Sequence, residues 1–432
     1  LTKSHQINIL ESIEIDSVIA DFPVGFSSVS YHDFQFIAYY NKERFLTVAS
    51  RKLSDKIWNY SILPTRVGWD SHNNITMTMD RDLCLHVTGN MHNDSMTYFI
   101  TEKPLDISTF RKIFPLIKVE DELSCTYPGF INTSDGKVIY KYRIGGSGNG
   151  VTITNTYDET AKSFKRLTDK PLFDGLGEMS AYPSGPRLGP DGIYHLAWLW
   201  RNTPHCETNH SLSYARSSDL VHWENLQGTE YKLPITSRTN QFTVDPISPG
   251  GGALNGAYRL FFASDNTPLL AYMKFDENGN NQFYVAKSQN GQWIINQVSD
   301  WDYRWAFSGP GSITFEIRIK NAFIDKNNQI VINYWHKKYG DGALIVDANT
   351  LVPIEDMAID PVHQSKYPEE LMQHSVDAAG LTVHWMDLRN KSESKNEYYS
   401  ARWETIGKSR FYKPPKDPVK PSPLKLYKFV KF

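Results

Sequence analysis

The chain has 432 residues, of which 13% are aromatic and 22% charged, and its formal net charge is −2. Such a chain can bury a large core, so it is not a disordered one, and the lack of a basic excess argues against a nucleic-acid partner. No stretch approaches the ~20 apolar residues of a membrane helix, so no membrane span is expected.

Read from the start, long helical periodicity is almost absent. Short runs rich in β-branched and aromatic residues recur instead, at 36–40 (FIAYY), 74–79 (NITMTM), 85–88 (LHVT), 138–142 (VIYKY), 195–200 (HLAWLW), 259–263 (RLFFA), 330–335 (IVINYW) and 381–385 (LTVHW). Each reads as a β-strand. Turn signals such as Asp135-Gly136, Asp191-Gly192, Asn327-Asn328 and Ala379-Gly380 precede several of them, because these residues tolerate the positive φ of tight hairpins. A repeat appears at 47–51 (TVASR), 213–217 (SYARS), 284–288 (YVAKS) and 399–403 (YSARW). The shared alanines, Ala49, Ala215, Ala286 and Ala401, are spaced as three, one and two units of about 55–70 residues, which makes seven units. A unit of that length holds four antiparallel strands, and radial repetition of such sheets removes long exposed edges. The fold expected is all-β, a seven-bladed β-propeller of four-stranded antiparallel blades over residues 1–411. Two stacked β-domains are the alternative, disfavoured by the regular spacing and the missing linker. Residues 412–432, where lysines interleave with prolines, read as a solvated extended tail.

The chemistry-bearing residues fall in two stretches. The first, 67–94, contains VGWDSHNN and HVTGNMHND around a strand pair, and places His72 and His92 at strand ends. Two neutral imidazoles there suit metal binding, or a general base with an orienting partner; the plainer reading is a pair of packed histidines bonded to backbone carbonyls. The second, 180–218, contains Tyr182 and a strand ending in Arg201, followed by His205, Cys206, Asn209 and His210. An arginine closing an aromatic strand suits a carboxylate, which its planar fork binds through both oxygens, unless it pairs with a structural acid. Asn73, Asn90, Asn209 and His210 are the candidate substrate-binding residues. Cys206 with His205 and His210 lacks the spacing of a zinc site. The three cysteines, Cys84, Cys125 and Cys206, show no CxxC pair and read as buried free thiols.

These motifs, together with QFIAYYN, RFLTVASR and DGIYHLAWLWR, resemble the BNR-4 type propeller family. That family includes ulvan lyases and the lyases and α-L-rhamnosidases acting on rhamnose-α-1,4-glucuronate (polysaccharide lyase family 42 and glycoside hydrolase family 145). The resemblance implies an anterior site of His72, His92, Tyr182 and Arg201. In it, Arg201 neutralises the uronate carboxylate, His92 removes the C5 proton with help from His72, and Tyr182 protonates the leaving oxygen. The substrate implied is a uronic-acid-containing oligo- or polysaccharide, first an arabinogalactan side chain capped by rhamnose on glucuronate. No cofactor is required, and a structural calcium or zinc ion in the channel is an expectation. The rhamnosidase alternative works from the opposite face, where His32 and Gln35 occupy the corresponding stretch. A third alternative is a non-catalytic sugar-binding propeller using Trp200, Trp301 and Trp305. The chain begins with Leu1, which fits removal of a targeting peptide, so a secreted or periplasmic monomer is expected.

Overall fold

The structure is a computed structural model describing residues 7–354, 366–375, 379–388, 396–407 and 412–431. The described residues form seven antiparallel sheets and one short helix, Glu369–Met372. The first sheet runs Ser27–Tyr31, Phe34–Tyr40, Phe45–Lys52, Asn59–Arg66. The second runs Thr76–Met79, Leu85–Thr88, Tyr98–Thr101, Phe110–Lys112. The third is built on Cys125–Ile131, Ile139–Gly146, Asn149–Asp158 and Ser163–Arg166, and the fourth on Ser180–Leu188, Tyr194–Arg201 and Asn209–Ser217. Tyr258–Phe262, Pro268–Phe275, Asn281–Gln289 and Gln292–Gln297 make the fifth; Ile317–Ile324, Gln329–His336 and Gly340–Asp347 the sixth. The seventh combines Leu381–Leu388, Glu397–Ile406 and Ser422–Lys431 with the N-terminal strand Ile7–Val18.

Four strands per unit holds for four of these sheets; the third and fourth have six and the sixth has three. The extra strands are loop segments recruited at the edges, among them His92–Asp94, Phe173–Asp174 and Thr243–Asp245. Opening strands of successive sheets lie side by side. Leu381–Leu388 meets Ser27–Tyr31, which meets Thr76–Met79, and the series continues through Cys125–Ile131 to Ser180–Leu188; Tyr258–Phe262 meets Ile317–Ile324. The core is correspondingly divided into six apolar clusters, each filling the gap between one sheet and the next. Ile37 and Ala49 of the first sheet, for instance, pack on Ala401, Trp403 and Leu426 of the seventh. All four repeat alanines are fully buried. Ala49, Ala215 and Ala286 occupy the third strand of their sheets, whereas Ala401 lies on the second strand of its own.

The solvated-tail reading of residues 412–432 is corrected by the seventh sheet; its boundary at residue 411 lies outside the described residues. Ser422–Lys431 pairs with Ile7–Val18 on one side and Glu397–Ile406 on the other. Leu424, Leu426 and Phe429 are buried, and this apolar surface outweighs the extended, solvated preference of the Lys/Pro composition. The cysteines are free thiols, with Cys125 and Cys206 buried and Cys84 only half-buried.

Candidate functional site

The first sheet leads through Arg66 into the loop that carries DSHN. Asp70 is almost fully buried in it and accepts the His72 backbone N–H at 2.9 Å, so a local turn fixes the loop. The second sheet carries the partner segment. Asn90 and Asn93 adopt positive φ on either side of His92, and the Asn93 N–H donates to Thr126 Oγ1, tying the segment to the third sheet. Both turns bring imidazoles to one carboxylate. His72 Nδ1 lies 2.6 Å from Asp70 Oδ1, and His92 Nδ1 lies 2.5 Å from Asp70 Oδ2. The two rings stack with centroids 4.3 Å apart.

Burial alone would raise the Asp70 carboxyl, but the hydrogen bonds from His72 and His92 outweigh it and hold the group well below the ordinary carboxylate range. An ionised carboxylate only accepts hydrogen bonds, so each Nδ1 carries a proton, and a neutral ring so held has its lone pair on Nε2. Ser312 Oγ then donates to His72 Nε2 at 3.3 Å.

Asp70, His72 and His92 are also the one group of potential metal ligands among the described residues. In the arrangement described, both Nδ1 atoms are hydrogen-bonded to Asp70 rather than set out with it as a ligand shell for the expected calcium or zinc. Two ligands on a tetrahedral zinc stand about 3.3 Å apart, and calcium takes oxygen ligands. Separations of 2.5 and 2.6 Å are those of hydrogen bonds.

A cleft of about 1010 Å³ opens on these rings, and the four predicted residues His72, His92, Tyr182 and Arg201 all line it. Tyr127, Arg143, Ser147, Arg259, Arg318 and Tyr412, absent from the sequence reading, line it too. Tyr127 holds a positive φ of 53° on the opening strand of the third sheet, and its ring lies 6.0 Å from His92 and 6.3 Å from His72. Burial chiefly, and the neighbouring Tyr182, push its phenol up to about 12, against the lowering influence of Arg143 and Arg201. Tyr182 sits one ring farther out, 6.3 Å from Tyr127, with its hydroxyl hydrogen-bonded to Ser147 Oγ.

The two arginines differ in what they have left to offer. Arg201 packs on the Tyr182 ring at 5.0 Å and donates to the carbonyls of Pro204 and His205, so its fork is turned toward its own loop. Arg143 packs on Tyr127 at 4.9 Å, is only 4% exposed, and its Nε and Nη1 have no hydrogen-bond partner among the described residues. A buried guanidinium with unmade hydrogen bonds is costly unless a ligand completes them. The sequence carried this signal: 138–143 (VIYKYR) is also an aromatic strand closed by arginine.

The remaining candidates sit elsewhere. Asn73 is buried, and its backbone carbonyl accepts from the Tyr40 hydroxyl. Asn90 bridges to Thr65, Arg66 and Gly68. Asn209 is buried and its Nδ2 donates to the Cys206 carbonyl and to Asn255 Oδ1, while His210 bonds to Asn202 and Ser211. None of these four lines the cleft. His205 faces Glu207 and forms no metal-ligand group with Cys206 and His210. On the opposite-face reading, Gln35 is fully buried and accepts from Arg51, which also pairs with Glu11; His32 is an exposed hairpin-turn residue. Trp200, Trp301 and Trp305, expected as exposed stacking platforms, are buried in the clusters between sheets.

No curated protein matches the chain. Among solved structures, the polysaccharide lyase Uly1 superposes with a TM-score of 0.63 at 11% identity, over 98% of this chain and 99% of that one. A PL25 ulvan lyase bound to -[GlcA(1-4)Rha3S]- gives 0.59 at 12% identity, over 93% and 94%. The model of the BNR repeat-containing family matches residues 34–301, and by that match the chain belongs to this family.

Proposed function

We propose that the seven sheets are the blades of a propeller and that its cleft cleaves the rhamnose-α-1,4-glucuronate linkage at the C4–O4 bond of glucuronate by β-elimination. The observation that carries this reading is the pairing, in one cleft, of Asp70-held imidazoles with Arg143, whose Nε and Nη1 have no hydrogen-bond partner among the described residues. A proton beside an ionised carboxylate is poorly acidic, so the carboxylate must be neutralised first. Arg143 takes this role in place of Arg201, which is committed to backbone carbonyls. His92 Nε2 takes the C5 proton, the electron pair forms the C4–C5 double bond, and the C4–O4 bond breaks. A tyrosine supplies the proton to O4. Tyr127, held protonated and nearer the histidines, serves better than Tyr182, whose hydroxyl is engaged by Ser147. The neighbouring lyase folds support the lyase class, and a uronic-acid polysaccharide as substrate carries with it a secreted or periplasmic location.

The rhamnosidase reading has less support. On the opposite face Gln35 is engaged by Arg51 and His32 lies on an exposed turn; hydrolysis ordinarily uses two carboxylates, and no Asp or Glu among the described residues lines the anterior cleft either. The test uses a rhamnosyl-glucuronate oligosaccharide. Elimination leaves a double bond conjugated to the carboxylate, which absorbs in the ultraviolet; hydrolysis leaves saturated glucuronate. New absorbance, lost in His92→Ala and Arg143→Ala, is expected. Rhamnose release without absorbance establishes hydrolysis instead, and neither signal, on this substrate or on ulvan, leaves a binding protein.

A further inference from the structure

We infer that the cleft holds a second anion-recognition site, built by Arg259 and Arg318, for a sulfate ester or second carboxylate on a sugar away from the scissile bond. This deepens the uronate reading above and rests on it for the position of the scissile bond, though not for the existence of the site.

Arg143 and Arg201 come from the third and fourth sheets; Arg259 and Arg318 come from the fifth and sixth and line the same cleft, with Arg259 also lining a recess it shares with Arg143 and Tyr127. No carboxylate pairs with any of these four arginines among the described residues, and none lines the cleft, although the chain as a whole is slightly acidic. One uronate carboxylate needs one guanidinium fork. The second pair is therefore surplus to the elimination itself.

Its geometry is that of a prepared site. Arg259 Nη1 donates to the carbonyls of Gly256 and Tyr258, both at 2.8 Å, and Nη2 donates to Ile319 at 2.6 Å. These bonds clamp the guanidinium across the junction of the fifth and sixth sheets and leave the rest of its fork for a ligand. Neutral carbonyls orient the charge without cancelling it. Arg318, on the strand that Arg259 grips, is exposed and lies over the Phe315 ring at 5.1 Å. Lys320 also lines the cleft, but its ammonium is taken up by Asp341. A volume of about 1010 Å³ is at the upper limit for one small ligand, which leaves room for neighbouring sugars.

The test measures cleavage and calorimetric binding with three probes: the rhamnosyl-glucuronate disaccharide, a glucuronate–rhamnose tetrasaccharide sulfated on rhamnose, and its unsulfated counterpart carrying two uronates. Arg318→Ala is the main variant, since an exposed side chain is dispensable for folding; Arg259→Lys is the second. Both should weaken binding and raise KM about tenfold for at least the sulfated tetrasaccharide, as expected for a lost charge-assisted hydrogen bond, with kcat within about twofold. The disaccharide should bind both variants as it binds the parent. Loss on the sulfated probe alone identifies a sulfate site, and loss on both tetrasaccharides a site for either anion. Equal loss on the disaccharide, no loss on any probe, or no binding of either tetrasaccharide overturns the inference. If the elimination reading fails, absorbance is missing while the binding differences persist.

Discussion

Asp70 accepts from two imidazoles through its two oxygens, so one buried side chain sets the tautomer of both. Asp70→Asn keeps the shape and breaks the logic. Its amide N–H₂ must face one of the rings and force that ring's proton onto Nε2, where a base needs a lone pair. The expected result is a fall in kcat of about 10²-fold or more, with substrate binding largely kept. A second readout follows from linkage. A carboxyl depressed in the folded state adds stability above its ordinary value of about 3.9, and that stability is lost as pH falls through the depressed one. The Asn variant should therefore lose less thermal stability than the parent when the pH is lowered from about 6 to about 3; an identical pH dependence of Tm would show that the pair contributes nothing. At the arginines, Arg143→Ala should abolish turnover and Arg143→Lys restore part of it, while Arg201→Ala should retain more activity than Arg143→Ala. His72, His92, Tyr182 and Arg201 were legible because their motifs put reactive types at strand ends. Asp70 stood inside one of those motifs, but nothing in the sequence says that one carboxylate bridges two histidines from different sheets. Arg143 and Tyr127 needed the third sheet to be placed against the second before their role was visible.

The strand Ser422–Lys431 shows how composition can mask an element. Its lysines and the prolines before it suggested a solvated segment, yet Leu424, Leu426 and Phe429 are buried between two neighbours. Leu424→Ala or Leu426→Ala should cost about 2–5 kcal/mol, read from denaturant midpoints, whereas Lys416→Ala, at an exposed position, should stay within about 0.5 kcal/mol. A null result at both leucines would restore the tail reading. The other strands were easier to see. Runs such as 195–200 pair aromatic with aliphatic residues between turn signals and appear where expected, within Tyr194–Arg201. Edge strands such as Phe173–Asp174 were invisible because two residues carry no period.

Across the whole molecule, alanine spacing led to an expectation of seven units, and the described residues form seven sheets; strand counts were not legible, since loops recruited at sheet edges leave no mark on that spacing, and Ala401 occupies a different strand position from the other three. Charge is unevenly spread: the chain is slightly acidic, while among the described residues the cleft is lined by arginines and by no acid. KM for an acidic oligosaccharide should therefore rise with ionic strength between about 0.05 and 0.5 M salt while kcat stays level, and a salt-independent KM would remove electrostatics from recognition. The seventh sheet joins Ile7–Val18 to Ser422–Lys431, with Ile13 opposite Leu426. That register has a consequence for the order of events during synthesis. The earliest of the described strands to leave the ribosome finds its partner only when the latest one arrives. Joining them directly in an unfolded chain would cost about 5 kcal/mol in loop entropy, so the six intervening sheets must form first and carry the two ends together. Until then Ile7–Val18 waits with an unpaired edge. Its apolar residues are interrupted by Glu11, Glu14 and Asp16, charges that keep a waiting strand from recruiting the wrong neighbour.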